Sequence, residues 1–272
     1  MPLAFLWLVG FLVFAPRTAL SVFELIAYSP IQQCGPFNVS FLGGQLPPAF
    51  PLILTVLPFN STSLVFTVPE SAWDNSTNSG TYATSLPLPA GVALMASLDD
   101  ADGNSAAVTS EVIQIQPSND TSCISTETAA PATFQLVDST VSQCLPFDVS
   151  QNSLSLTQLS SLRVFIPTTL SFRLQSVAFY TKDGIDIFTF IMSVARGLQV
   201  ALLFDDGEGY WQVSDLLSVG GGEFSPSECL LASPTPSTTA VVRANAQRLS
   251  RSASFAIASC CEANLLSSGL QP

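Results

Sequence analysis

Two acidic runs are the residues most able to do chemistry: DDADGN at 99–104 and DDGEGY at 205–210. Asp99, Asp100 and Asp102, with Asp205, Asp206 and Glu208 in the second run, are oxygen donors of the kind that gather around Ca²⁺. Each run is about half the length of an EF-hand loop and has no distal bidentate Glu. Asp and Gly between two apolar stretches also form hairpin turns, and that is the expectation taken here. A glycosidase would need two carboxylates facing across a cleft. Trp73, Tyr82, Tyr210 and Trp211 could stack on sugar rings; otherwise Tyr82, Tyr210 and Trp211 serve as ordinary residues of a sheet face or hairpin end, and Trp73 is expected in a loop beside Asn75.

Other chemistries fail on residue type. The chain has no histidine, which removes Ser-His-Asp and Cys-His catalysis and every His-ligated metal. None of the six cysteines forms a CxxC pair. VGGGE (219–223) lacks the lysine of a phosphate loop, and no paired Asp-Thr/Ser-Gly loops are present. The expectation is a non-enzyme with no catalytic residue, no cofactor and no metal. Residues 22–128 hold nine acids and no Lys or Arg, and the whole chain has a net charge of −12. A nucleic-acid partner is excluded, since it requires a basic surface.

The acidic runs must be positioned by strands. Short alternating segments recur: FNVSF, LILTVL (52–57), SLVFTV (63–68), TYATSL (81–86), VALMASL (92–98) and VTSEVIQI (108–115). FELIAY adds a seventh, with Phe23, Leu25 and Ala27 expected on one face. Residues 134–219 supply seven more, among them FQLV, LRVFI, SFRLQSVAFY, DIFTFIM and LQVALLF. Seven strands per hundred residues predict an antiparallel, immunoglobulin-like sandwich.

The strands come as two copies of one unit. QCGPFNVS (33–40) returns as QCLPFDVS (143–150), identical at six of eight positions. Gly91, Asp99, Asp100 and Gly103 match Gly197, Asp205, Asp206 and Gly209, all 106 residues later, and the same shift carries Cys123 onto Cys229. The division expected is a sandwich over 22–128, a second over 129–232, and a linker with a mobile tail over 233–272. In each octet the proline fixes the backbone entering a strand, and Phe37 or Phe147 turns into the core.

The apolar run Leu3–Ala15 is too short to span a bilayer and fits a secretory leader over 1–21, with Ala19 and Ser21 at the cleavage site. A buried N-terminal strand and a signal anchor are the other readings. Sequons stand at Asn38, Asn60, Asn75 and Asn119. Equal placement in both copies argues for disulfides Cys34–Cys123 and Cys144–Cys229, against a rival Cys123–Cys144 bridge. The adjacent Cys260 and Cys261 are expected to be free or paired between chains.

QCGPFNVSFLGG, LPPAFPL, LPAGVALMASLDDADG and the closing SNDTSC resemble the extracellular repeat of a large group of secreted and single-span proteins of mushroom-forming fungi. The resemblance covers residues 23–124 well; 134–230 lacks the Gly-Gly and the double proline. It implies fold and place only, because the group has no assigned activity. Its members often continue into a Ser/Thr-rich stalk and a membrane span, where this chain has only SPTPSTT and no expected span in its mature part. The expectation is a secreted, N-glycosylated surface protein of structural or adhesive role, with a cell-wall polysaccharide or another surface protein as partner. A secreted carbohydrate-binding protein is the alternative.

Overall fold

A computed structural model describes residues 23–44, 49–124, 134–137, 140–152, 159, 161–205, 211–221, 225–230 and 240–241. The fold is all-β. The first half contains β1 (Leu25–Tyr28), β2 (Pro36–Leu42), β3 (Leu52–Pro58), β4 (Leu64–Val68), β5 (Trp73–Asp74), β6 (Ser79–Ser85), β7 (Ala93–Asp99) and β8 (Ile113–Gln114). These make two antiparallel sheets in the orders β1-β2-β6-β5 and β4-β3-β7-β8. That is the immunoglobulin arrangement, strands A, B, E and D facing C′, C, F and G.

The second half repeats it. Its strands are β9 (Phe134–Leu136), β10 (Val141–Ser142), β11 (Pro146–Asn152), β12 (Ser161–Phe165), β13 (Phe172–Leu174), β14 (Ala178–Lys182), β15 (Ile185–Ile191), β16 (Gln199–Asp205), β17 (Trp211–Val213) and β18 (Leu217–Gly220). One sheet runs β14-β15-β11-β9 and the other β10-β18-β16-β12-β13, with β17 also paired to β16. Each half fills its own core by strict alternation. Phe37, Val39 and Phe41 of β2 meet Leu52, Leu54 and Val56 of β3 in the first. Phe147 and Val149 meet Leu162, Val164 and Phe190 in the second.

Several segments differ from their sequence pattern. The chain bends at Glu24, so β1 buries Ile26 and Tyr28 with Phe23, and leaves Leu25 and Ala27 half-buried. SFRLQSVAFY divides between β13 and β14, which belong to different sheets. Residues 108–112 are not strand, although Val108, Thr109 and Ser110 are buried. Finally, β19 (Ala240–Val241) lies parallel to β1, pairing Leu25 with Ala240. The free edge of β1 offers backbone groups that such an extended segment can pair. The leader and the pair Cys260–Cys261 lie outside the described residues.

The halves are not beads on a string. β3, β7, β12 and β16 bury side chains on both faces, and their second faces, which mix apolar residues with the Asp99–Arg163 pair, pack against one another. Leu57 and Met95 from one half meet Phe165, Ala201, Leu203 and Val213 from the other, with Phe59 and Trp211 at the margin. The molecule is therefore four sheets deep, with the seam between the middle two.

Candidate functional site

The repeated octet is a corner whose parts act together. Cys34 and Cys144 both take a left-handed conformation, φ 58° and 55°, at the third position of a tight turn. The turn is closed by Gly35 N–H donating to Gln32 O in one copy and Leu145 N–H to Ser142 O in the other. Cys34 is bonded to Cys123 and Cys144 to Cys229, closing loops of 89 and 85 residues. The glutamine before each cysteine is buried and serves as a clamp. Gln33 Oε1 accepts from Ala90 N–H at 2.8 Å while its Nε2 donates to Asp120 O at 2.8 Å. Gln143 does the same with Arg196 N–H at 2.9 Å and Pro226 O at 2.7 Å. One side chain thus ties the loop before β7 or β16 to the loop that delivers Cys123 or Cys229.

The acidic turn is used up by its own structure. Asp100 Oδ1 accepts from Asp102 N–H at 3.0 Å and Asn104 N–H at 2.8 Å, and Asn104 Nδ2 reaches both oxygens. Asp99 points the other way, into the seam, where Arg163 Nη1 donates to its Oδ2 at 2.7 Å and Arg163 Nη2 to its Oδ1. Among the described residues, no three His, Cys, Asp or Glu side chains cluster so as to hold a metal. Asp205 closes β16; Asp206, Glu208 and Tyr210 lie outside the described residues.

The Asp99–Arg163 pair is the most buried charged contact described. Arg163 Nε donates to Ser171 Oγ at 3.0 Å, and Ser171 shares a hydrogen bond with Ser105 Oγ at 2.7 Å across the seam. The guanidinium also lies 5.0 Å over the Phe165 ring. Burial pushes the Asp99 carboxyl above its usual range, opposed by the hydrogen bonds and charge of Arg163. Burial, then the nearby Asp99, pushes the Tyr28 hydroxyl up as well.

Around this pair the seam has a pseudo-two-fold. Thr109 N–H donates to Thr169 O at 2.9 Å, and its counterpart Val213 N–H donates to Ser61 O at 2.8 Å. Asn60 and Thr168, at equivalent turns, share a positive φ of 54° and 62°. The symmetry fails at the ion pair. Thr55 stands in β3 where Arg163 stands in β12: Thr55 pairs with Ser97 of β7, and Arg163 with Leu203 of β16.

The aromatic candidates do not form a platform. Trp73 is 8% exposed, stacked on Phe41 at 6.0 Å and beside Phe23 at 5.5 Å. Its indole N–H donates to Asn75 Oδ1 at 2.9 Å. This corrects the placing of Trp73 in a loop: Gly80, opposite it, has no side chain, and a Cβ there would meet the Phe41 ring at 2.2 Å. Tyr82 is half-buried against the same core, and Trp211 edges the seam. Asn38, Asn60, Asn75 and Asn119 are all exposed. No helix among the described residues is long and apolar enough to cross a membrane. No protein-family model matches the chain, and no curated protein matches it either.

Proposed function

We propose that this chain is an extracellular, N-glycosylated, non-enzymatic protein of a cell surface or wall, with a structural or adhesive role. The observation that carries this reading is how the polar groups are spent. In the first acidic run, Asp100 is engaged in its own turn and Asp99 in the seam, so these two carboxylates do not face a common cleft. The four sequon asparagines of the first half all lie outward. Two disulfide corners brace the sandwiches, as oxidising compartments permit. The partner in this reading is a wall polysaccharide or another surface protein.

The test is expression with the chain's own leader in a eukaryotic secretory host, followed by separation of wall-bound, membrane-bound and free fractions. The expected product leaves the cell, drops in mass in up to four steps with endoglycosidase, and shows no free thiol at Cys34, Cys123, Cys144 or Cys229. Retention inside the cell, unglycosylated and with those thiols reduced, would end the proposal.

A further inference from the structure

Each outer sheet ends in an edge strand, and the two halves treat that edge in opposite ways. In the first half the edge is β5, only two residues long and preceded by a 3₁₀ turn at Glu70–Ala72. Asp74 there collects the Ser76 and Thr77 hydroxyls, and Asn75 is a sequon. These are the devices that blunt an edge: brevity, charge and cover. In the second half Asp186 takes the place of Gly80 and accepts a hydrogen bond from Thr181 Oγ1 at 2.6 Å. The edge strand β14 stays extended and is exposed along all five residues.

The residues on and around this edge are apolar. Val177 is 58% exposed, Phe179 51%, Tyr180 44% and Ile185 44%. The outward face of β15 has Ile185, Ile187, Thr189 and Ile191, where β6 has Ser79, Thr81, Ala83 and Ser85. Asn38, the sequon of the first outer face, is Asp148 in the second.

We propose that β14 is a self-pairing edge: two copies of the chain join β14 to β14 antiparallel, about a two-fold axis at Tyr180. The turn fixes which backbone groups are available. Asp183 and Gly184, both with positive φ, make a two-residue hairpin that hydrogen-bonds Lys182 to Ile185. Alternation then directs Tyr180 and Ala178 toward β15, and leaves the N–H and C=O of Phe179 and Thr181 pointing away from the sheet. An axis at Tyr180 sets Phe179 of each copy opposite Thr181 of the other, so all four residues bond. The side chains suit that register: an aromatic meets a β-branched residue, and the short Ala178 meets the long Lys182. Tyr180 is held over the outer face by its hydroxyl, 3.4 Å from Asp148 Oδ2.

Charge favours a second copy at this edge over the corresponding β5 edge. LQSVAFYTK (174–182) has one lysine and no acid in a chain of net −12, whereas the β5 edge presents Glu70 and Asp74. Two acidic bodies meet less repulsion along β14 than along β5. The product is one continuous eight-stranded sheet with an isologous interface.

The test uses the full secreted chain with Cys260→Ser and Cys261→Ser, so that the tail cannot cross-link. Sedimentation velocity near ~10 µM is expected to show a dimer. Thr181→Pro removes one outward N–H at an edge where proline is tolerated. It should raise the dissociation constant about tenfold or more while the melting temperature holds. Tyr180→Cys should cross-link to itself under mild oxidation, since non-hydrogen-bonded partners sit ~4.5 Å apart at Cα. Ala178→Cys should not, its copies lying ~13 Å apart along the strands. A monomer at these concentrations, a dimer indifferent to Thr181→Pro, or equal cross-linking at 178 and 180 would overturn the proposal.

Discussion

The two halves agree wherever the chain must be held and differ wherever it meets something else. The glutamine clamp, the left-handed cysteine and the bridge behind it recur almost atom for atom. So does a pair of serines inside each sandwich: Ser110 Oγ accepts from Ala96 N–H at 2.8 Å, and Ser214 Oγ from Leu202 N–H at 2.9 Å. The outer sheets have diverged, one toward small polar residues and sequons, the other toward isoleucine and an open edge. The seam has diverged too, since an ion pair occupies only one side of its pseudo-two-fold. Shared features mark what the fold requires, and the differences mark what each copy has taken on.

The largest test of that contrast is the pair of disulfides. Replacing both cysteines of either bridge by serine is expected to cost about 4 kcal/mol in the chain-entropy model. Urea titration should show similar losses for the 34–123 and 144–229 variants; a loss confined to one would break the equivalence of the corners.

Next is the feature that the copies do not share. Arg163→Met leaves Asp99 buried without its partner, at a cost of about 3 kcal/mol near neutral pH. The double variant with Asp99→Asn should recover most of it. The sign of the pH dependence follows from burial. A carboxyl raised in the folded state stabilises most at low pH, and that stability is lost as pH rises through the raised value. Removing Arg163 removes the opposing influence, so the deficit of Arg163→Met relative to wild type should shrink as pH falls. A deficit that widens on acidification would refute this account.

The smallest effect sharpens the comparison. Gln33→Ala and Gln143→Ala each remove two part-buried hydrogen bonds to the backbone, at about 1–3 kcal/mol for the two together. Thermal melts should give the two variants nearly equal shifts. A large inequality would mean that one corner depends on its bridge alone.

Much of this architecture was legible from alternation and duplication, because each outer strand has one wet face. FNVSF writes its burial directly: Phe37, Val39 and Phe41 are all in the core. The seam was harder to read. LILTVL, VALMASL, LRVFI and LQVALLF carry large apolar residues on both faces, with Arg163 the exception, and a sheet with one face in solvent does not need them. The other half supplies the second cover. VTSEV failed as a strand for the same reason. Its β-branched residues leave the ladder so that Thr109 can donate its hydroxyl to Ile166 O. Trp73 was misjudged because the decisive residue, Gly80, acts by having no side chain. The clamp role of Gln33 and Gln143 could have been suspected, since glutamine is repeated directly before cysteine in both octets.

The bridges also decide how the chain carries tension. In each half the cysteine at the entry is bonded to the cysteine at the exit. A pull along the backbone therefore crosses each sandwich through sulfur and leaves the strands between unloaded. Without the bridge, the 89 residues closed by the first loop could pay out roughly 300 Å of extended chain. With it, only the segments outside the loops can lengthen, so the protein behaves under load as a short, nearly inextensible tether.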